Sequence, residues 1–239
     1  MNGDYSAVTG QHCDVGELQG GANIAVFASH GGSDLQAIID GCVAGKIPAR
    51  VSVVISNNSD SRALQRAKDA GIPAFHLSAK TVRSGAGMAG ASEILPDSAN
   101  VPSSANSPNS PDILAETILK TLTAHNADVI FLAGYLKKIP DKVLEAYSGR
   151  IYNIHPSLLP KFGGRGMFGI NVHAAVIAAG EAQTGITIHR VTAEYDAGDI
   201  LAQRTVPVLT GDTPEILAAR VLAQEHIFLV EFLAELFQG

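Results

Sequence analysis

Residues 23–40, NIAVFASHGGSDLQAIID, contain the pattern that decides the fold. The apolar run NIAVFA predicts a buried strand, and the spacing of apolar residues from Asp34 onwards predicts a helix. The glycines between them predict a tight turn. Strand and helix patterns go on alternating along the chain, which is typical of a parallel sheet with helices on both faces.

The rest of the chain follows this alternation with two interruptions. Residues 1–22 lack periodicity and predict a flexible tail, and residues 84–111, rich in Ser, Ala, Asn, Pro and Gly, predict a mobile insertion. One domain over residues 23–239 is therefore expected. Further strands are predicted at residues 50–56, 74–77, 128–132, 150–154, 186–191 and 200–208. Helices are predicted at residues 34–45, 61–70, 113–125 with Asp112 as N-cap, 140–147, 171–179 and 213–237.

Composition and charge narrow the class of protein. With 46% hydrophobic residues, 17% charged residues and a net charge of −6, the chain resembles an ordinary globular protein and gives no support for nucleic-acid binding. Cys13 and Cys42 are the two cysteines, too few to suggest a disulfide framework. The first residues lack the regions of a signal peptide, and no apolar run approaches the ~20 residues that cross a membrane. We expect a cytoplasmic location.

The turn SHGGS, residues 29–33, lies between the first strand and the first helix. Free backbone amides and the helix dipole favour an anion such as phosphate at this place, although a tight turn whose glycines only relieve strain is an equal alternative. Asp34 would repel a phosphate unless its carboxylate caps the helix and faces away. We expect such a cap, in which case Asp34→Asn would tighten binding only modestly.

A second candidate site is the segment Asn153-Ile154-His155-Pro156, at the end of an apolar strand. The period of two puts Asn153 and His155 on one face and Ile154 on the other. Pro156 interrupts the hydrogen-bond ladder and so places both side chains at the carboxyl end of a parallel strand, where open α/β sheets bind ligands. A lone His at a strand end is usually a surface residue, but the Asn beside it favours a site.

Residues 194–199, EYDAGD, form an acidic loop between two predicted strands. Either Asp196 or Asp199 could face His155, and an ordinary solvated turn is the alternative. A carboxylate paired with His155 would raise the pKa of the imidazole and support an imidazolium that donates to a developing oxyanion.

Other residues give weaker indications. His173 and His189 lie on a predicted helix and a predicted strand without metal-type spacing, so no metal is expected. The Gly-Gly-Arg-Gly loop at residues 163–166 indicates a flexible lid rather than a phosphate cradle, and the chain has no Walker A motif.

Four segments together resemble the phosphoribosylglycinamide formyltransferases over most of residues 23–230, namely VFASHGGSDLQAIID, LAGYLKKIP, NIHPSLLPKF and YDAGD. NIHPSLLP is typical of folate-dependent formyltransferases, and the glycine loop followed by LQAIID narrows the resemblance to the glycinamide ribonucleotide branch. The resemblance implies a single-domain, Rossmann-like α/β fold with a mostly parallel twisted sheet. It also implies formyl transfer from the co-substrate 10-formyltetrahydrofolate to the amine of 5'-phosphoribosylglycinamide, in de novo purine biosynthesis.

The resemblance also assigns site residues. It makes Asn153 an oxyanion donor, His155 the electrophile or general acid, and Asp196 the carboxylate that keeps His155 charged and relays a proton through water. The implied substrate-binding residues are Gly31, Gly32, Ser33, Asp34 and Glu225. The implied folate-binding residues are Leu136, Lys137, Lys138, Ile139 and Asn153.

Three positions depart from the family pattern. Asp34 stands where the family usually has Asn, Lys137 where Arg is common, and Leu222 where a polar residue contacts the substrate. These departures concern substrate affinity and leave the catalytic trio unchanged.

Related enzymes and a different class of protein are the alternatives. A methionyl-tRNA formyltransferase carries a C-terminal β-barrel and a formyltetrahydrofolate deformylase an N-terminal regulatory domain, and the patterns of this chain suggest neither. A non-catalytic nucleotide sensor would have no need of the Asn153, His155 and Asp196 trio. The expected partners are small-molecule substrates, without nucleic acid or membrane, and the oligomeric state is open, with a homodimer as one option.

Overall fold

A computed structural model describes residues 21–83 and 110–238. Nearly all of the predicted tail (1–22) and insertion (84–111) lies outside these residues. The strands are β1 (Ala22–Phe27), β2 (Ala49–Ser56), β3 (Ala74–His76), β4 (Val129–Leu132), β5 (Ile151–His155), β6 (Gln183–Arg190) and β7 (Ile200–Pro207). The helices are α1 (Ser33–Val43), α2 (Arg62–Asp69), α3 (Ala79–Arg83), α4 (Ser110–Ala124), α5 (Asp141–Ala146), α6 (Ile170–Ala178) and α7 (Pro214–Leu236).

The strands form one 7-stranded sheet in the order β3-β2-β1-β4-β5-β6-β7. Strands β1 to β5 pair in parallel, whereas β6 runs antiparallel to both β5 and β7. The predicted α/β class with a mostly parallel sheet is therefore confirmed. The strand order reverses between β1 and β4, and the carboxyl ends of strands at such a reversal border the crevice in which open α/β sheets bind ligands.

The sheet is buried on both faces. Val26 and Phe131 point to one side and join a core that includes α1 and α7, while Phe27 and Ile130 point to the other and join a core with α4 and α5. Full burial of such a side chain contributes about 1.5–3 kcal/mol relative to an exposed position. This packing fixes the strand ends at which polar residues collect.

Several elements differ from the prediction, and three of the differences have a clear physical reason or consequence. Helix α4 begins at Ser110, so Asp112 is not its N-cap but lies in the first turn, with its carboxylate 3.0 Å from Lys142 Nζ. Strand β1 begins at Ala22, one residue inside the predicted tail, because Ala22 pairs with Ala49 of β2. Helix α3 was not predicted, since five residues are too few to show helical periodicity.

The start of α7 agrees with the sequence. Thr213 is its N-cap, and the hydroxyl accepts a hydrogen bond from the Ile216 N–H at 3.4 Å. Of the helices in residues 21–83 and 110–238, none is both long and apolar enough to cross a membrane.

Candidate active site

Asn153 and His155 project from the same face of β5. Ile154 points to the opposite face and packs in the core with Tyr152, so the predicted alternation is confirmed. Strand β5 extends one residue beyond the prediction and ends at His155, which is 4% exposed. The antiparallel register sets Asn153 opposite His189 and His155 opposite Thr187 of β6.

Asp196 is the aspartate that faces these side chains. Its Oδ2 lies 3.7 Å from His155 Nδ1, and its Oδ1 lies 3.5 Å from His189 Nε2. The Gly164 N–H donates a hydrogen bond to Oδ2 at 2.8 Å. Asp196 has a φ of 52°, an uncommon left-handed conformation that these contacts hold in place. Asp199, the other candidate, is exposed and lies 3.4 Å from Arg190.

His189 belongs to the same cluster, although the sequence indicated no role for it. Its Nδ1–H donates to the Arg190 carbonyl at 2.8 Å, since a carbonyl can only accept. Its Nε2 therefore faces Asn153 Nδ2 at 3.0 Å and Asp196 Oδ1 at 3.5 Å. A neutral His189 accepts from Asn153, and a protonated one donates to Asp196, so this ring connects the amide to the carboxylate.

The orientation of His155 is fixed by the loop that follows β5. Its Nε2–H donates to the Phe162 carbonyl at 2.8 Å, which sets the tautomer of a neutral ring. Ser157 holds the same loop by donating to the Lys161 carbonyl at 2.7 Å. The Nδ1 of His155 is thereby left to face Asp196.

Burial decides the charge of His155. Burial lowers the pKa of His155 more than the Asp196 charge and the Phe162 hydrogen bond raise it, so the net pKa is below the ordinary value. The lowered pKa runs against the expectation that Asp196 keeps His155 charged, and that expectation stays a prediction. For Asp196, burial alone would raise the pKa, but the His189 hydrogen bond, the His155 charge and the Gly164 N–H together lower it. An ionised carboxylate thus lies beside a neutral imidazole near pH 7.

The glycine loop at residues 163–166 is part of this cluster rather than a lid apart from it. Besides the Gly164 N–H bond to Asp196, Gly163 approaches the site closely. A Cβ on Gly163 would press on the end of the Leu159 side chain and would lie 3.2 Å from Asp196 Cβ. The backbone of Gly163 therefore passes close to the Asp196 side chain.

The second polar region is the start of α1. Gly32 is the N-cap, with a φ of 67°, and a Cβ there would lie 2.8 Å from Ala63 of α2. The backbone conformation and the close packing on α2 therefore both explain why this position is a glycine. Within the part of the chain that the structure describes, no side chain caps α1, and the prediction that Asp34 is a cap is wrong. The first-turn amides of α1 therefore remain available to an anion.

Asp34 instead faces α7. It is 8% exposed, and its Oδ1 lies 3.3 Å from His226 Nε2, yet neither atom has a hydrogen-bond partner among the described residues. Glu225 is 7% exposed, and its burial, followed by the charge of Asp34, raises its pKa well above the ordinary value. The two carboxylic residues predicted to contact the substrate thus lie together.

The residues predicted to contact folate follow β4, between the ends of β1 and β5. Leu136, Lys137 and Lys138 are exposed, and the Leu136 N–H is bound by the Ser29 hydroxyl at 2.8 Å. The side chain of Ile139 is buried in the core, which leaves its backbone as the part that can reach a ligand. Leu222 is exposed on α7.

No group of three or more His, Cys, Asp or Glu in residues 21–83 and 110–238 is arranged to hold a metal ion. The expectation of a site without metal stays a prediction.

The chain is similar to known proteins over most of its length. The chloroplastic phosphoribosylglycinamide formyltransferase of Arabidopsis thaliana is 39% identical over 208 residues, which cover 87% of this chain and 63% of the relative. The phosphoribosylglycinamide formyltransferase of Escherichia coli K12 is 33% identical over 204 residues, or 85% of this chain and 82% of the relative. Glycinamide ribonucleotide transformylase 1 from Symbiobacterium toebii has a crystal structure that matches with a TM-score of 0.71 at 36% identity, covering 91% of this chain and 90% of that one.

This chain therefore spans less than two thirds of the Arabidopsis protein and most of the bacterial one. The model of the formyl transferase family matches residues 22–233, from the first residue of β1 into the last turns of α7. That range includes both polar regions at the carboxyl edge of the sheet. On this match the chain belongs to the formyl transferase family.

Proposed function

We propose that the protein transfers a formyl group from 10-formyltetrahydrofolate to the amine of 5'-phosphoribosylglycinamide, a step of de novo purine biosynthesis. The main support is the meeting of Asn153, His155 and Asp196 at the carboxyl end of β5. Family membership and the names of the relatives from Arabidopsis and Escherichia coli support formyl transfer to the same acceptor.

The first chemical step is attack of the substrate amine on the formyl carbon. A new C–N bond forms, and negative charge collects on the formyl oxygen. Asn153 Nδ2 has two hydrogens, of which one can point to His189 Nε2 and the other to this oxygen. A donor aimed at the developing oxyanion lowers the barrier more than one aimed at the ground state.

His155 and Asp196 then handle protons. The neutral ring of His155 turns its Nε2–H from the Phe162 carbonyl into a hydrogen bond with the oxyanion and keeps this proton. The ionised Asp196 accepts the proton that the attacking amine loses. The bond between the formyl carbon and folate N10 breaks, the proton held by Asp196 passes to N10, and the products are the formamide and tetrahydrofolate.

Substrate positions complete the proposal. The amides of Gly31, Gly32 and Ser33 bind the phosphate at the start of α1, and Glu225, near Asp34, lies on the side of this substrate. The backbone of residues 136–139 contacts the folate. A cytoplasmic location and a homodimer stay predictions, and the Arabidopsis relative is named as chloroplastic.

The test is the rate of 10-formyltetrahydrofolate conversion with and without the ribonucleotide. We expect turnover that requires the ribonucleotide and falls about 10²–10⁴-fold in His155→Ala. His125→Ala is the control, because His125 packs against Phe75 away from the β5 cluster. Turnover without the ribonucleotide would indicate a deformylase, and no turnover in either condition would contradict the proposal.

A further inference from the structure

Ser29 follows β1 and is the first residue of the SHGGS turn (residues 29–33) that leads into α1. It is 1% exposed, and its backbone joins neighbouring segments. Its N–H donates to the Gly134 carbonyl at 3.2 Å, and its carbonyl accepts from Asn58 Nδ2 at 3.4 Å. Ser29 therefore contacts the segments that follow β2 and β4.

The hydroxyl of Ser29 makes two further bonds whose directions follow from chemistry. The Leu136 N–H can only donate, so Ser29 Oγ accepts from it, at 2.8 Å. The single hydrogen of the hydroxyl is then donated to Asn57 Oδ1, at 2.5 Å. Asn57 thereby orients the oxygen lone pairs of Ser29 towards Leu136.

The segment after β4 is the one that this hydroxyl fixes. Leu136 begins the exposed stretch Leu136-Lys137-Lys138, and the chain returns to the core at Ile139. Gly134 has a φ of 70°, so the chain turns sharply just before this stretch. With Gly134 and Leu136 both bound to Ser29, the path of the exposed backbone is set from β1.

We propose that Ser29 is a positioning residue for the folate: its hydroxyl holds the Leu136 amide and so fixes the backbone that the folate contacts. The inference rests on the proposed function, because it takes residues 136–139 as the folate contact. Ser29 acts through Leu136 and does not itself touch the reacting atoms. Since it also directly precedes the loop at residues 30–34, one buried serine connects the two substrate regions.

Steady-state kinetics of Ser29→Ala provide the first test. We expect the KM for 10-formyltetrahydrofolate to rise about tenfold, the effect of losing roughly one oriented hydrogen bond and the backbone order that depends on it. The kcat and the KM for the ribonucleotide should stay within about twofold, because the β5 cluster is unchanged. A purely structural role would lower the melting temperature and the active fraction without raising the folate KM.

Ser56→Ala is the matched control. Ser56 is also a buried serine at the end of a parallel strand, but its hydroxyl bonds only with Asn58, at 3.1 Å to the carbonyl and 3.2 Å to the N–H, among the described contacts. Its folate KM should equal that of the wild type. An equal rise in both serine variants would overturn the proposal.

Two substitutions of Asn57 keep the test valid if Ser29→Ala does not fold. Asn57→Ala removes the acceptor that orients the hydroxyl, and we expect a folate KM raised about threefold. Asn57→Asp keeps an acceptor oxygen and should restore the wild-type value. A folate KM that does not distinguish Ala from Asp at this position would contradict the proposed orientation.

A ligand-free readout separates this inference from the proposed function. Hydrogen exchange of the Leu136 amide should be faster in Ser29→Ala than in the wild type, and direct titration with tetrahydrofolate should show weaker binding. Neither measurement uses the ribonucleotide. Both therefore test the role of Ser29 even if the wild-type protein shows no formyl transfer. Unchanged exchange, or faster exchange with unchanged folate binding, would overturn the role of Ser29.

Discussion

Asp196 and Asp34 are two carboxylates of the candidate site whose charges are balanced differently. Asp196 receives the Gly164 N–H and lies near His155 and His189, and its pKa is lowered in spite of burial. Asp34 lies 3.3 Å from His226 without a hydrogen bond among the described residues, and its charge adds to the raised pKa of Glu225. One carboxylate is stabilised as an anion, and the other is close to a carboxyl group that retains its proton.

The difference indicates what each region has ready before substrate arrives. The end of β5 already has the Asn153 amide and the ionised Asp196 in place, whereas the His155 N–H must first leave the Phe162 carbonyl. A phosphate at the start of α1 would lie beside Asp34. The negative charge of Asp34 would repel it and so offset part of the attraction from the helix amides. Arg66, which donates to the Gly31 carbonyl at 3.0 Å, brings a positive charge to the same loop.

The largest expected effect is that of Asp196→Asn. Asn preserves the shape and tolerates a positive φ, but it cannot accept the amine proton, so kcat should fall about 10²–10⁴-fold. The KM values should change little, because Asp196 is not among the proposed binding residues. Stopped or steady-state assays of formamide formation measure this loss.

Asp199→Asn is the control for that variant. Asp199 lies in the same loop, is exposed, and lies 3.4 Å from Arg190, so the activity of this variant should match that of the wild type. Similar losses in the two variants would indicate that the loop, rather than the Asp196 carboxylate, determines the rate.

The sequence predicted one of these two regions far better than the other. Period-two alternation placed Asn153 and His155 on one face because that relation is local to a strand. His189 was missed because its position opposite Asn153 depends on the antiparallel register of β5 and β6, which tertiary packing sets. The resemblance, not the spacing, chose Asp196 over Asp199.

Long-range packing also explains the error at Asp34. A polar residue in the first turn of a helix commonly caps it, and the local sequence offers no reason to expect otherwise. Its actual neighbours, Glu225 and His226, belong to α7 at the far end of the chain. Likewise, the lowered pKa of His155 follows from burial, which a strand pattern does not reveal.

A smaller effect in the opposite direction is expected from Asp34→Asn. With the cap excluded, the carboxylate adds negative charge near the phosphate, and its removal should lower the KM for the ribonucleotide about tenfold, equivalent to one pKa unit of interaction. The folate KM should not change. Asp40→Asn, on the exposed side of α1 where Asp40 binds Gln36, is the control. An unchanged ribonucleotide KM would contradict a repulsion between the Asp34 carboxylate and the phosphate.

The smallest effect is on stability, in Glu225→Gln. The folded protein holds the Glu225 proton above the ordinary pKa of a glutamate, whereas the unfolded chain releases it. The native state thus binds more protons, so wild-type stability falls as pH rises from the ordinary pKa of Glu towards the raised one. Gln cannot titrate, so the melting temperature of the variant should rise relative to that of the wild type across this pH range. The rise should be about 2–4 °C for each kcal/mol of unfolding free energy that the wild type loses.

Glu235→Gln, on an exposed position of α7, should show no such pH-dependent gain. The charge of Asp34 is the second cause of the raised pKa, after burial, so the gain of Glu225→Gln should shrink when Asp34→Asn is also present. A gain that is independent of pH, or one that the second substitution leaves untouched, would mean that the two carboxylic groups do not interact. The difference between Asp34 at the start of α1 and Asp196 at the end of β5 would then lie in their contacts and not in their effect on neighbouring pKa values.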